Sequence, residues 1–278
     1  MRTVIGIDVG GSTTKIVGFP DERMTSPLFV KANDPLASVY GALGKFVAEN
    51  GVALSEIEKI LVTGVGQAFL TAPLYAVPTA KVNEFTAIGL GGLYLTGLSE
   101  AIIVSMGTGT AFVDADADGA RHLGGTGVGG GLLIGLAGSM LQLHDFDTIV
   151  ETAKGGDLDK VDLFIKDITK GSVNNLTPSA TAANFGKVSD LATKADIALG
   201  IINMVFQTIG MMAAFNARGL GKDVVLTGSL TKIPQARGIF DGLSDVTGVR
   251  FLIPEHAEFA TAAGAALVHR KGRPCEDI

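Results

Sequence analysis

Apolar residues in this chain fall into short runs closed by glycine and into longer stretches with helical spacing. The first run, residues 4–9, is followed by Gly10-Gly11-Ser12-Thr13-Thr14 and a second apolar run over 15–19. Two apolar runs joined through Gly-Gly predict a β-hairpin, and residues 28–31 read as a third strand. Over 35–51 the positions Leu36, Val39, Tyr40, Leu43, Phe46 and Val47 lie at helical spacing, and Asn50-Gly51 ends the pattern, which predicts a helix. Residues 57–63 form a short strand closed by Gly64-Val65-Gly66. A helix follows from about Glu84 to Gly97, with Phe85, Ile88, Leu90, Leu93 and Leu95 available for burial.

At Ala101 the pattern restarts. Residues 102–105 read as a strand, Gly107-Thr108-Gly109-Thr110 as a turn and 111–114 as the returning strand. After a turn at 116–119 comes a glycine-rich loop over 124–131, then a helix from about Leu132. Two strand–glycine/hydroxyl turn–strand units, each opening one half of the chain, point to internal duplication. The remainder predicts a long buried helix over 195–216, a strand over 223–227 ending in Gly228-Ser229, a strand over 249–253 and a small-residue helix over 259–269. No low-complexity linker separates the halves, so two lobes must share an interface or hinge.

Composition narrows the class. With 278 residues, 47% hydrophobic, 18% charged and 38 glycines, the chain can bury a large core and is turn-rich rather than disordered. A net charge of −6 and the lack of any Lys/Arg cluster interleaved with aromatics argue against a nucleic-acid partner. An anionic small substrate remains compatible, since a local site can be positive. Cys275 is the only cysteine, which excludes a disulfide within the chain, a cysteine-only zinc site and an iron–sulfur cluster held by one chain. His122, His144, His256 and His269 show no metal-ligand spacing. The apolar stretch 198–215 is interrupted by Asn203, Gln207 and Thr208 and reads as a buried helix rather than a membrane span. The amino-terminal segment reads as a strand and not a signal peptide, so a soluble, cytoplasmic protein without a membrane partner is expected.

The glycine turns carry the candidate chemistry. Gly10 and Gly11 admit a close backbone, Ser12, Thr13 and Thr14 add donors, and Asp8 at a strand end suits Mg²⁺ or its water shell. The bland alternative is an ordinary hairpin, and the echo at 107–110 counts against it. The 124–131 glycines running into a helix offer N–H groups for an anion. Gly228-Ser229 could lie against an adenine or ribose, although many buried strands end this way. Glu84 at a helix start would be ionised by the helix dipole and suits a general base; a stabilising first-turn glutamate suits the position equally. Arg121 and His122 precede the glycine loop and could hold a phosphoryl group or carboxylate.

Taken together, these segments resemble the acetate and sugar kinase/Hsp70/actin superfamily, and within it the bacterial type II pantothenate kinases. The first phosphate motif is similar to Asp8-Val9-Gly10-Gly11-Ser12-Thr13-Thr14-Lys15, the second to Ser105-Met106-Gly107-Thr108-Gly109-Thr110, and the adenosine motif to Leu226-Thr227-Gly228-Ser229. Asn83-Glu84-Phe85 resembles the family's catalytic-glutamate segment, and Thr181-Ala182-Ala183-Asn184-Phe185-Gly186 a further family segment. The resemblance implies an α/β, duplicated actin-like (ribonuclease H-like) two-lobed ATPase fold. Residues 1–103, completed by the helix over 259–270, would form one lobe, and 104–258 the other. It implies ATP and Mg²⁺ in the cleft, a homodimer, and phosphorylation of pantothenate to 4'-phosphopantothenate, the first step of coenzyme A biosynthesis. Glu84 would be the base and Asp8 the Mg²⁺ residue. Gly10, Gly11, Ser12, Thr13, Thr14, Lys15, Thr108, Gly129, Gly130, Gly131, Leu132, Leu133, Ile134, Phe146, Gly228 and Ser229 would bind nucleotide. Thr108, Arg121, His122 and Asn184 would contact pantothenate. In one respect the chain departs from the family: where an arginine is usual, His122 stands, with Arg121 one residue earlier. Other readings on the same fold are an N-acetylhexosamine kinase and an ATPase activator or sensor.

Overall fold

The computed structural model describes residues 2–31, 34–170 and 177–278. Strands β1 (Thr3–Val9), β2 (Thr13–Phe19) and β3 (Thr25–Lys31) form an antiparallel meander. Helix α1 (Pro35–Asn50) starts on Asp34, whose carboxylate accepts from Ala37 N–H, and ends on Gly51 at φ 62°. It leads into β4 (Ile57–Thr63), parallel to β1, and β5 (Thr79–Lys81), parallel to β4. Helix α2 (Glu84–Thr96) then crosses to a second meander, β6 (Ala101–Met106), β7 (Thr110–Ala115) and β8 (Ala120–Thr126).

Helices α3 (Gly130–Leu141) and α4 (Phe146–Thr152) come next, then a small hairpin of β9 (Leu163–Phe164) and β10 (Thr181–Ala183) flanking α5 (Ile165–Ile168). The long α6 (Lys194–Leu220) precedes β11 (Val224–Thr227), α7 (Ala236–Thr247) and β12 (Phe251–Leu252). The chain closes with α8 (Ala260–Arg270) and β13 (Glu276–Asp277).

The two sheets are built alike. Their strand orders are β13-β5-β4-β1-β2-β3 and β12-β11-β6-β7-β8. In each, a three-stranded meander is extended by a strand parallel to its first member, and that strand ends in a glycine at positive φ: Gly64 (84°) after β4, Gly228 (90°) after β11. The registers match, with Asp8 opposite Thr63 and Ser105 opposite Thr227. A Cβ on Gly228 would lie 2.5 Å from Met106 O, so only glycine lets the second turn fold back over its sheet.

The cores follow from this layering. Ile5, Ile7, Val9, Ile60 and Val62 pack against α1 through Val39, Leu43 and Phe46. The opposite face of the first sheet packs on Ala262, Ala263 and Ala266 of α8 and on Ala87 and Leu90 of α2. Ile88, Phe85 and Leu93 of the same α2 pack on the second sheet. On that sheet's far face, α3, α6 and α7 bury Leu133, Ile201, Val205, Phe206 and Phe240. Helix α6 has the length and apolarity of a membrane span, but 61% of its most apolar stretch is buried in this core.

Several expectations shift. The 124–131 segment is not all loop: β8 runs to Thr126, its peptide groups taken up by pairing with β7, and α3 begins at Gly130 rather than Leu132. The predicted helix near Glu84 is preceded by a short strand, β5. Helices α4 and α7 and strands β9, β10 and β13 were not expected from the pattern.

Candidate active site

A cleft of about 1270 Å³ runs between the sheets at the ends where β1, β4, β6 and β11 finish. Asp8, Gly10, Gly11, Ser12, Thr13 and Lys15 of the first hairpin line one wall, and Thr108, Gly130, Gly131, Ile134, Phe146, Gly228 and Ser229 line the other. Glu84 also faces it. At the hairpin tips, Gly10 N–H is taken by Thr13 O and Gly107 N–H by Gly109 O. The N–H groups of Gly11, Ser12, Thr108 and Gly109 find no acceptor among the described residues. Both loops therefore present unpaired donors to one space, an arrangement suited to phosphate oxygens.

The α3 start behaves differently from its sequence reading. Gly130 N–H donates to Gly107 O and Gly131 N–H to Thr108 O, each at 2.9 Å. These groups are not free for an anion; they fasten the helix under the second hairpin. The glycines are needed for that approach, since a Cβ on Gly129 would stand 2.7 Å from Thr108 O. Gly129 supports the hairpin from behind and does not line the cleft.

Periodicity separates other neighbours. Thr13 and Lys15 face the cleft, so Thr14 between them faces away; it is fully buried and accepts from Ser38 Oγ at 2.6 Å. On α3, Gly130, Gly131 and Ile134 share the cleft side, while Leu133 is buried in the core and Leu132 packs against it.

Asp8 and Lys15 sit opposite each other on β1 and β2, are both buried, and pair at 3.5 Å. Glu84 opens α2, whose cap is Asn83: its side-chain oxygen accepts from Phe85 N–H and Thr86 N–H. Burial first, and the negative charge of Asp8 second, push the Glu84 carboxyl above the usual glutamate range, with Lys15 partly opposing them. The helix dipole that sequence reasoning invoked is outweighed, because desolvation disfavours the charged form. Glu84 is thus a stronger base than a solvent-exposed glutamate.

The remaining predicted contacts scatter. Arg121 lies near the far end of β8, is largely exposed and pairs with Asp114 at 3.0 Å. His122 stacks on Phe85, the residue after Glu84, with ring centroids 3.9 Å apart. Of the two, His122 is the one beside the helix that carries Glu84. Asn184 is not in the cleft wall; it donates to Gln207 Oε1 at 3.3 Å and Asp162 Oδ2 at 3.5 Å. Asp162 is fully buried and also accepts from Asn203 Nδ2 and Phe185 N–H, so the 181–186 segment is anchored to α6 by a neutral-donor network.

Sequence reasoning missed the cleft mouth. Phe29 and Lys31 from β3, Asp147 and Glu151 from α4, Lys154 just after that helix, and Lys232 after β11 all line it. The alternation of Phe29 and Lys31 in β3 was a usable signal; α4 carried none strong enough to recognise. Among the described residues no cluster of three His, Cys, Asp or Glu side chains could hold a metal by itself.

Comparisons with known proteins bear on the fold and on the kind of protein this chain is similar to. A family model named Fumble matches residues 99–236. The type II pantothenate kinase of Staphylococcus aureus (strain USA300) is 28% identical, over 96% of this chain and 99% of its own. Among solved structures, the activator of the 2-hydroxyisocaproyl-CoA dehydratase from Clostridium difficile with bound ADPNP superposes with a TM-score of 0.68 at 18% identity, covering 98% of this chain and 95% of that one. A ROK family glucokinase from Streptomyces griseus in complex with glucose and AMPPNP gives 0.62 at 14% identity, covering 97% and 100%. The fold is the duplicated actin-like one, and the chain is similar to the type II pantothenate kinases along nearly its whole length.

Proposed function

We propose that this protein, similar to a type II pantothenate kinase over 96% of its residues, transfers the γ-phosphoryl group of ATP to the primary hydroxyl of pantothenate, yielding 4'-phosphopantothenate for coenzyme A synthesis. The observation that carries the reading is the position of Glu84, a carboxylate of raised basicity in the wall of a cleft that also holds two hairpins with unpaired N–H groups.

Phosphoryl transfer is mostly positioning and charge stabilisation. Gly11, Ser12, Thr108 and Gly109 would donate to phosphate oxygens, Lys15 would add positive charge, and Glu84 would accept the hydroxyl proton as the acceptor attacks. Mg²⁺ fits a site with one carboxylate, Asp8, because it keeps water and phosphate ligands and needs no protein cage; when bound it neutralises phosphate charge. The acceptor's polar groups would meet Thr108, and His122, stacked on Phe85 of α2, stands in the sequence where the family's arginine is usual. We read the chain as two lobes, 1–103 with 259–270 and 104–258, hinged about the cleft. A half-exposed stripe on α6, Met204, Thr208 and Met211, ending in exposed Phe215, supports a homodimer contact. The substrate and product belong to central metabolism, which supports a cytoplasmic location.

The test is ADP release by purified protein with ATP, Mg²⁺ and either pantothenate or N-acetylhexosamines. Release stimulated by pantothenate alone is expected. Release indifferent to every acceptor would overturn the reading in favour of an activator or sensor. The dehydratase-activator likeness is one of fold alone, and a single cysteine, Cys275, does not supply the cysteine pair per subunit that a cluster shared between subunits would need.

A further inference from the structure

Four lysines line the cleft, and three are paired with carboxylates: Lys15 with Asp8, Lys31 with Asp147 and Lys154 with Glu151. Lys232 has no carboxylate partner among the described residues. It ends the short turn Ser229–Lys232 that follows Gly228, on the second sheet's side of the cleft. Its ammonium instead reaches across the mouth to the Phe29 ring, 5.3 Å from the centroid. Phe29 lies opposite Lys15 on the neighbouring strand, and Lys15 lies opposite Asp8, so this ammonium hangs over the root of the first hairpin.

We propose that Lys232 is a phosphate-binding residue that closes the cleft on its nucleotide. In this structure it rests on Phe29; with a nucleoside polyphosphate present it would transfer to the polyphosphate oxygens and draw the two walls together. The physical reason is a difference in strength. A lysine over an exposed phenylalanine is weakly held, whereas an ammonium–phosphate bond in a partly desolvated cleft is charge-assisted and stronger. The incoming polyphosphate carries several negative charges, and Lys232 is the cleft lysine that meets it without first leaving a carboxylate.

This inference rests on the ATP reading, and direct binding separates the two. Calorimetric titration of the wild type, Lys232→Met, Lys232→Arg and Phe29→Leu with ADP and with adenosine is the experiment. Lys232→Met is expected to weaken ADP about tenfold or more while leaving adenosine unchanged, and Lys232→Arg to stay near the wild type. Phe29→Leu, which removes the resting place, is expected to bind ADP at least as tightly. Wild-type affinity for ADP in Lys232→Met, an equal loss of ADP and adenosine, or a Phe29→Leu loss matching that of Lys232→Met would each overturn the proposal. Should Lys232→Met fail this test while the wild type still releases ADP in response to pantothenate, only the role of Lys232 falls. A wild type that binds no adenine nucleotide would remove the ATP reading and this inference together.

Discussion

Glu84, the proposed base, occupies a position where that role and stability would oppose each other. Burial and Asp8 raise its carboxyl above the ordinary value of 4.5, so the folded protein holds that proton to higher pH than the unfolded chain does. Stability contributed by this group therefore falls as pH rises through the raised value, and at neutral pH the ionised side chain costs folding energy. Glu84→Gln is expected to lower kcat by roughly 10²–10⁴-fold, retain ADP binding, and melt at the same temperature as the wild type or higher. Turnover near the wild type would remove Glu84 from the mechanism. The pH–rate profile offers a second check: the acidic limb of kcat/KM should lie above the usual glutamate range, and a limb near 4.5 would contradict the burial argument. The type of residue at 84 and its place at a helix start were legible from the sequence. The sign of its pKa shift was not, because desolvation and Asp8 arrive from packing that brings residues far apart in the chain together.

At the scale of elements, α2 is wedged between the two sheets, and its glycines permit the fit. A Cβ on Gly91 would overlap Ala260 O of α8, and one on Gly264 of α8 would overlap Ala87 O. Gly91→Ala should destabilise the protein by about 3 kcal/mol or more, at the upper end of overpacking costs, and disturb Glu84 with it; unchanged denaturant midpoints would refute the close crossing. Helix α6 offers a pH-dependent case. Asp196 accepts from the Thr193 backbone N–H and hydroxyl and from Asp157 N–H, and these bonds, the Thr193 backbone bond foremost, hold its carboxyl down to about 2. A depressed carboxylate stabilises above its unfolded value of 3.8 and loses that contribution as pH falls towards about 2. Asp196→Ala should cost about 1–2 kcal/mol at neutral pH, a difference from the wild type that shrinks on acidification through this window. Strands with strong apolar runs, such as β1 and β4, and helices with clear spacing and caps, such as α1 and α6, were legible. The short β5, β9, β10 and β13 were not, since two or three residues hold no period and form only because a neighbouring edge accepts them.

For the whole molecule, the cleft is an emergent property of duplication. Each half supplies one meander, one hairpin tip and one glycine-ended parallel strand, and neither half encloses a nucleotide alone. Ligand binding should therefore stabilise both halves together. ADP at a hundred times its Kd is expected to add about 2.7 kcal/mol, a rise of roughly 5–10 °C in a single cooperative transition for a chain of this size; an unshifted transition would mean that the cleft does not bind it. By itself the sequence determined the local chemistry: glycine and hydroxyl turns after apolar strands, their repetition in two halves, and an acidic residue opening a helix. These are short-range facts, set by backbone permissiveness, side-chain alternation and capping. Tertiary structure alone decided which of those groups share a space. It turned Thr14 and Leu133 inward, spent the N–H groups of Gly130 and Gly131 on the second hairpin, carried Arg121 to the far end of its sheet, and set Lys232 over Phe29. Such outcomes depend on register and on which faces two sheets bury, and contacts between residues tens to hundreds of positions apart have no trace in local pattern.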